Sequence, residues 1–192
     1  MIGFNRGNSY LKSRANLRTA LVAVFVLTAA LADAGDAPII VTESGVGGID
    51  GRTPFAADAV GLALPGFDVR AEKHEGEGGF YSVFIAASAG VDTITLYGGE
   101  TVVRADIAAP DAVTEAGARI GDLFSDVFSG DDERYCEPGM EVFSGKAVCL
   151  APGSAQIALV FGGSWDGPDG TLPDAAKLAR WPLEIIIWNA EF

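Results

Sequence analysis

Carboxylates are the most plentiful reactive groups in this chain, and two clusters of them have a spacing that chemistry could use. In GGSWDGPDGTLPD (162–174), Asp166 and Asp169 stand three apart behind Trp165. A calcium loop of the EF-hand kind needs about five oxygen ligands at alternating positions and a closing bidentate glutamate. Here no acid follows Asp169 until Asp174. Turn chemistry accounts for DGPDG without a metal, because proline presets φ, aspartate bonds its own backbone and glycine accepts positive φ. In EKHEGEGG (72–79) the single histidine, His74, lies among Glu72, Glu75 and Glu77. That set suits a metal or acid–base chemistry, and equally suits a solvated hairpin tip, the reading preferred here. Either cluster leaves a carboxylate-dependent hydrolase as an alternative function, with a calcium-stabilised structural protein as a third. No G-x-S-x-G elbow or phosphate loop occurs, and SGVGGIDG lacks the strand-to-helix setting of a dinucleotide loop. No catalytic residue, cofactor or metal is therefore assigned, and an enzyme is not expected.

The two cysteines, Cys136 and Cys149, take their meaning from the compartment. Arg6, Lys12, Arg14 and Arg18 precede an apolar run that ends at Asp33, the pattern of a secretory signal peptide over residues 1–34. The run falls short of the roughly 20 residues a membrane span needs. Small residues suit cleavage after Ala32 or Ala34, and no stable membrane anchor is expected afterwards. In an oxidising compartment, the periplasm, an even pair of cysteines is most simply one disulfide, Cys136–Cys149. Removing residues 1–34 leaves 9 bases against 25 acids, so the net charge moves from −13 to −16. Such a surface repels nucleic acid and steers basic partners toward itself, an effect that salt screens.

The elements that would hold these residues follow from periodicity. PIIVT (38–42) reads as a strand, and the glycine-rich ESGVGGIDGR as a connection, together residues 35–52. TPFAADAVGLALPG (53–66) reads as a helix with Thr53 as N-cap, Pro54 at the first position, Phe55, Ala59 and Leu62 on one face, and Pro65-Gly66 as the stop. FDVRAEK, FYSVFIAAS, DTITLYG and TVVRADIA read as four strands. The same order returns after residue 117. RIGDLFSDVFSG predicts an amphipathic helix through Ile120, Leu123, Phe124, Val127 and Phe128, followed by strands at CEPGMEVF, GKAVCLA, AQIALVFGG and LEIIIWN. The expected fold is α+β, a tandem repeat of a helix packed on a four-stranded antiparallel sheet, resembling β-lactamase inhibitor proteins. The units are 53–116 and 117–192, with an inserted loop at 163–182.

That insertion holds a short helix capped by Asp174 and stopped before Pro182, with Leu178 and Trp181 on one side. Trp165, Asp166 and Asp169 form a candidate partner-binding loop, since large aromatics on loops are frequent interaction anchors. Packing is the plainer role for Trp165.

TPF (53–55), CEPGMEVFSGKAVC (136–149) followed by APG, GPDGTLP (167–173), and Trp181 with IIW (186–188) together look like the sigma-E-regulated lipoprotein family of Gram-negative bacteria. The likeness runs from about Gly45 to Trp188. It implies an envelope protein linked to envelope stress, with no established activity and no catalytic residues to carry over. Members are usually anchored by a lipidated cysteine just after the signal, and LADAGDAP contains none. The function expected is that of a non-enzymatic periplasmic interaction protein, binding a basic protein or an envelope component.

Overall fold

Alternating and short apolar runs recur along the chain, and the computed structural model is mostly β. It describes residues 38–76, 78–128, 135–168 and 170–190. The proposed signal peptide and Glu77 lie outside them.

The first half contributes β4 (Asp68–Gly76), β5 (Gly79–Ser88), β6 (Val91–Gly98) and β7 (Val102–Ile107), a meander of antiparallel hairpins. The second half contributes β9 (Cys136–Pro138), β10 (Ala147–Leu150), β11 (Ile157–Phe161) and β12 (Leu183–Asn189), again antiparallel neighbours. β7 and β12 pair directly, Arg104 opposite Asn189 and Ile107 opposite Ile186. The result is one eight-stranded sheet in the order β4-β5-β6-β7-β12-β11-β10-β9.

A second, four-stranded sheet forms from β1 (Ile40–Thr42), β2 (Gly45–Val46), β3 (Ile49–Asp50) and β8 (Val113–Thr114), with β8 parallel to β1. It contacts β12 through β1 and β2. The Trp188 indole N–H donates to the Glu43 carbonyl at 3.2 Å, and Ser154 Oγ donates to the Glu43 carboxylate.

This architecture corrects the expected fold. The chain does not build a helix packed on a four-stranded sheet twice over, and the likeness to β-lactamase inhibitor proteins is not its fold. The helices are too short: α1 (Ala57–Ala63), α2 (Phe124–Val127) and α3 (Ala175–Leu178). α1 starts later than Thr53 because Pro54 bridges Thr101 and the Phe55 N–H donates to the Glu100 carbonyl, which keeps that segment extended. Its phase turns with the delay, so Val60 and Leu64 are buried and Leu62 is exposed. The second amphipathic segment shrinks to one turn for a similar reason. Gly121 N–H donates to Leu183 O, Leu183 N–H to Asp122 O, and Leu123 bridges Pro182. Tertiary pairing overrides helical period there. The connection ESGVGGIDGR, expected to be irregular, supplies β2 and β3.

One face of the large sheet is covered. Phe84, Ala86, Ile94, Leu96, Ala105, Ile107, Leu159, Phe161, Ile186 and Trp188 point into a core closed by the small sheet and the helices. Phe124 and Phe128 meet Phe161 there at centroid distances of 5.2 and 5.8 Å, as tilted or edge-on aromatic contacts. The edge strand β4 carries Arg70, Glu72, Lys73 and Glu75, charges that discourage edge-to-edge pairing with another chain. No helix among the described residues is long and apolar enough to cross a membrane.

Candidate functional site

The opposite face of the large sheet is covered only in part, with Ala158, Val160 and Ile187 buried on it. Because side chains alternate, this face carries Tyr97 from β6, Arg104 and Asp106 from β7, Ile187 and Asn189 from β12, Ala158 from β11, and Val148 and Leu150 from β10. The β9–β10 connection folds over it. A single 3-10 turn, Glu141–Phe143, is held by Phe143 N–H to Met140 O and by Gly139 N–H to Lys146 O. Phe143 packs on a small cluster of Ala158, Val160, Ile187, Val148 and Ile185. Gly139 permits the fold-back, since a Cβ there would stand 2.1 Å from the Phe143 carbonyl oxygen. The salt bridge between Lys146 and Glu184 pins the base of the connection.

Between that connection and the sheet lies a groove of about 590 Å³. Its floor is Val148, Leu150, Ala158 and Ile187, and its walls include Tyr135, Pro138, Met140, Val142 and Phe143. Met140 and Val142 are about four-fifths exposed. Arg104 closes one end. Its guanidinium lies 5.1 Å from the Tyr97 ring centroid and 5.7 Å from that of Phe143, within cation–π reach of both. It grips Asp106 in a bidentate pair at 2.6 and 2.9 Å. Burial works against the guanidinium charge, but the hydrogen bonds to Asp106 outweigh it and raise the Arg104 pKa. Burial beside the Asp106 carboxylate pushes the Tyr97 hydroxyl up to about 12.

The residues singled out by sequence lie elsewhere. Cys136 and Cys149 are directly opposed on β9 and β10 and form the expected disulfide. Trp165 is half-buried against the core, with the Lys177 ammonium 5.0 Å from its ring centroid. Asp166 is exposed and hydrogen-bonds the same Lys177 at 3.3 Å, which lowers its pKa. Asp169 lies outside the described residues. α3 carries the expected cap, with the Asp174 carboxylate accepting from Lys177 N–H at 2.9 Å, and buries Leu178. Glu72 and His74 stand on β4, with His74 Nε2 3.5 Å from Glu72 and Arg70 bound to both Glu72 and Asp92. None of these acids lines the Arg104 groove. Among the described residues, no cluster of three or more His, Cys, Asp or Glu side chains is placed to hold a metal.

Sequence reasoning missed Arg104, Asp106, Tyr97, Met140, Val142 and Phe143. The signal for the ion pair was present in VVRADI, where two opposite charges two apart on a strand must share a face. The apolar residues of MEVF, enclosed between two bonded cysteines, were the signal for the wall.

Fold and groove together mark a β-rich domain with one covered and one partly covered sheet face. The chain belongs to the family described as protein of unknown function (DUF1131), whose model matches residues 34–190. It is 30% identical over 161 residues to the uncharacterized protein YfeY of Escherichia coli (strain K12), spanning 78% of each chain. The crystal structure of the uncharacterized protein yfeY from Escherichia coli is similar at a TM-score of 0.69 and 29% identity, covering 78% of this chain and 98% of that one.

Proposed function

We propose that this chain is an exported, non-enzymatic interaction protein of the periplasm that takes hold of a protein partner at the groove beside Arg104. The observation that carries this reading is the exposure of Met140 and Val142 on a connection whose backbone is tied at Gly139, Phe143 and Lys146. A fixed loop that holds large apolar side chains in water, next to an apolar floor, has the character of a contact surface. The Trp165 loop offers less free surface, because its ring is already engaged by the core and Lys177.

Export is supported by the basic, then apolar, N-terminal sequence and by a cysteine pair suited to an oxidising compartment. The resemblance to sigma-E-regulated lipoproteins adds a link to envelope stress to the same reading. A photo-crosslinking amino acid at Val142, compared with one at Leu62 on α1, tests the site in living cells. A discrete adduct at position 142 and none at 62 is expected. Equal adducts at both positions, or none at 142, would refute it. Export is tested by the mass of the chain in the periplasmic fraction, expected to begin at Asp33 or Gly35, and is refuted if Met1 is retained.

A further inference from the structure

The charges around the groove are unevenly matched. Arg104 is neutralised by Asp106 and Lys146 by Glu184, so among the described residues both cations near the connection are already in ion pairs. Glu137 and Glu141 also line the groove, both are exposed, and neither carboxylate has a hydrogen bond or ion pair among the described residues. The rim is therefore net negative while the floor is apolar. The whole chain, at −13, extends the same sign. A ligand that satisfies both features needs apolar groups for Val148, Leu150, Ala158 and Ile187 and positive charge for Glu137 and Glu141.

Resting on the reading of the groove as a contact surface, we propose that its occupant is a cationic amphipathic segment of a protein partner. Its apolar side chains lie on the floor between Phe143 and Leu150, and its lysines or arginines meet Glu137 and Glu141. Long-range attraction speeds the encounter and apolar contact holds the complex. An anionic surface, such as nucleic acid or acidic lipid, meets the wrong sign at the rim. The volume of about 590 Å³ falls within the range of sites that enclose a compact ligand, so a short segment fills it.

The test uses the full mature chain and three synthetic peptides that share the same apolar positions and carry lysine, glutamine or glutamate at the polar ones, with binding read by fluorescence anisotropy at two salt concentrations. The lysine peptide is expected to bind most tightly and to weaken as salt rises. E137Q with E141Q weakens it by about three- to tenfold and removes most of the salt dependence, as expected for two rim charges. V142N weakens it severalfold, because it puts a polar group at the apolar contact without adding charge of the sign that attracts the peptide. Circular dichroism of each variant confirms that the fold is kept, and if V142N unfolds, V142S replaces it. Equal binding of the glutamine or glutamate peptide, or no binding of any peptide, overturns the proposal. A Val142 crosslink obtained in cells would leave the groove reading standing in either case. Lysine-peptide binding that neither variant alters also overturns the proposal, because the peptide then sits elsewhere.

Discussion

Breaking the Cys136–Cys149 bond should cost stability by an amount set by the ring it closes. The two residues are 13 apart, and the chain-entropy relation for a ring of that size gives about 3 kcal/mol at 25 °C. Both thiols are buried, Cys149 completely, so the double variant Cys136→Ala with Cys149→Ala removes the bond without leaving a polar group in the core. Urea unfolding followed by tryptophan fluorescence is the assay. With a slope of about 2 kcal/mol per molar, ordinary for a domain of this size, the midpoint should fall by about 1.5 M. Wild type measured in reductant should fall equally, and so should either single variant. A drop below about 0.5 M would refute the reasoning, because the β9–β10 pairing would then close the same ring in the unfolded chain. The bond also secures β9, which carries Glu137 and Pro138 into the groove wall. Hydrogen exchange of β9 amides should therefore rise more than that of β11 when the bond is absent.

Gly163→Ala should destabilise the fold by about 1–3 kcal/mol, since its Cβ would stand 2.1 Å from the buried Trp181 indole nitrogen. Gly99→Ala, with open space at its Cβ, should stay within about 0.5 kcal/mol; equal urea midpoints for the two would defeat the packing account. Tyr97 should ionise at about 12 in an ultraviolet titration. Because its pKa is raised on folding, the stability linked to it is complete below about pH 10 and is lost as pH rises toward 12. Tyr97→Phe should remove that slope, and an unchanged slope would contradict it. The Arg70 guanidinium lowers the Asp92 pKa, so the stability linked to Asp92 is present above the ordinary carboxylate pKa and is lost as pH falls through the lowered value. Carboxyl NMR should place its midpoint below about 3.9, and R70M should return it there.

The strands were legible because alternation is a local property. FDVRAEK and DTITLYG carry period two in their own residues, FYSVFIAAS and LEIIIWN are short apolar runs bounded by turn residues, and each contributes a strand to the large sheet. The helix at 119–130 was not legible as a single turn. Phe124 and Phe128 are buried as a helical period requires, but residues 121–123 are held by the distant Pro182–Leu183, which no local pattern announces. The glycine-rich β2 and β3 were hidden for the opposite reason, since two-residue strands carry no period at all. Of the candidate site, the disulfide was readable from two cysteines and an N-terminal sequence that reads as a leader. The groove was not, because it exists only once β7, β10, β11 and β12 lie side by side beneath the turn at Glu141–Phe143.

The seam between β7 and β12 bears on biogenesis. Its partners, Arg104 with Asn189 and Ile107 with Ile186, lie about eighty residues apart, so the two meanders must wait for β12 to be made before they can join. Until then β7 presents an open ladder of amide and carbonyl groups to any nascent neighbour. A chain synthesised from its N-terminus therefore passes through a stage in which that edge is open to pairing with its own copies.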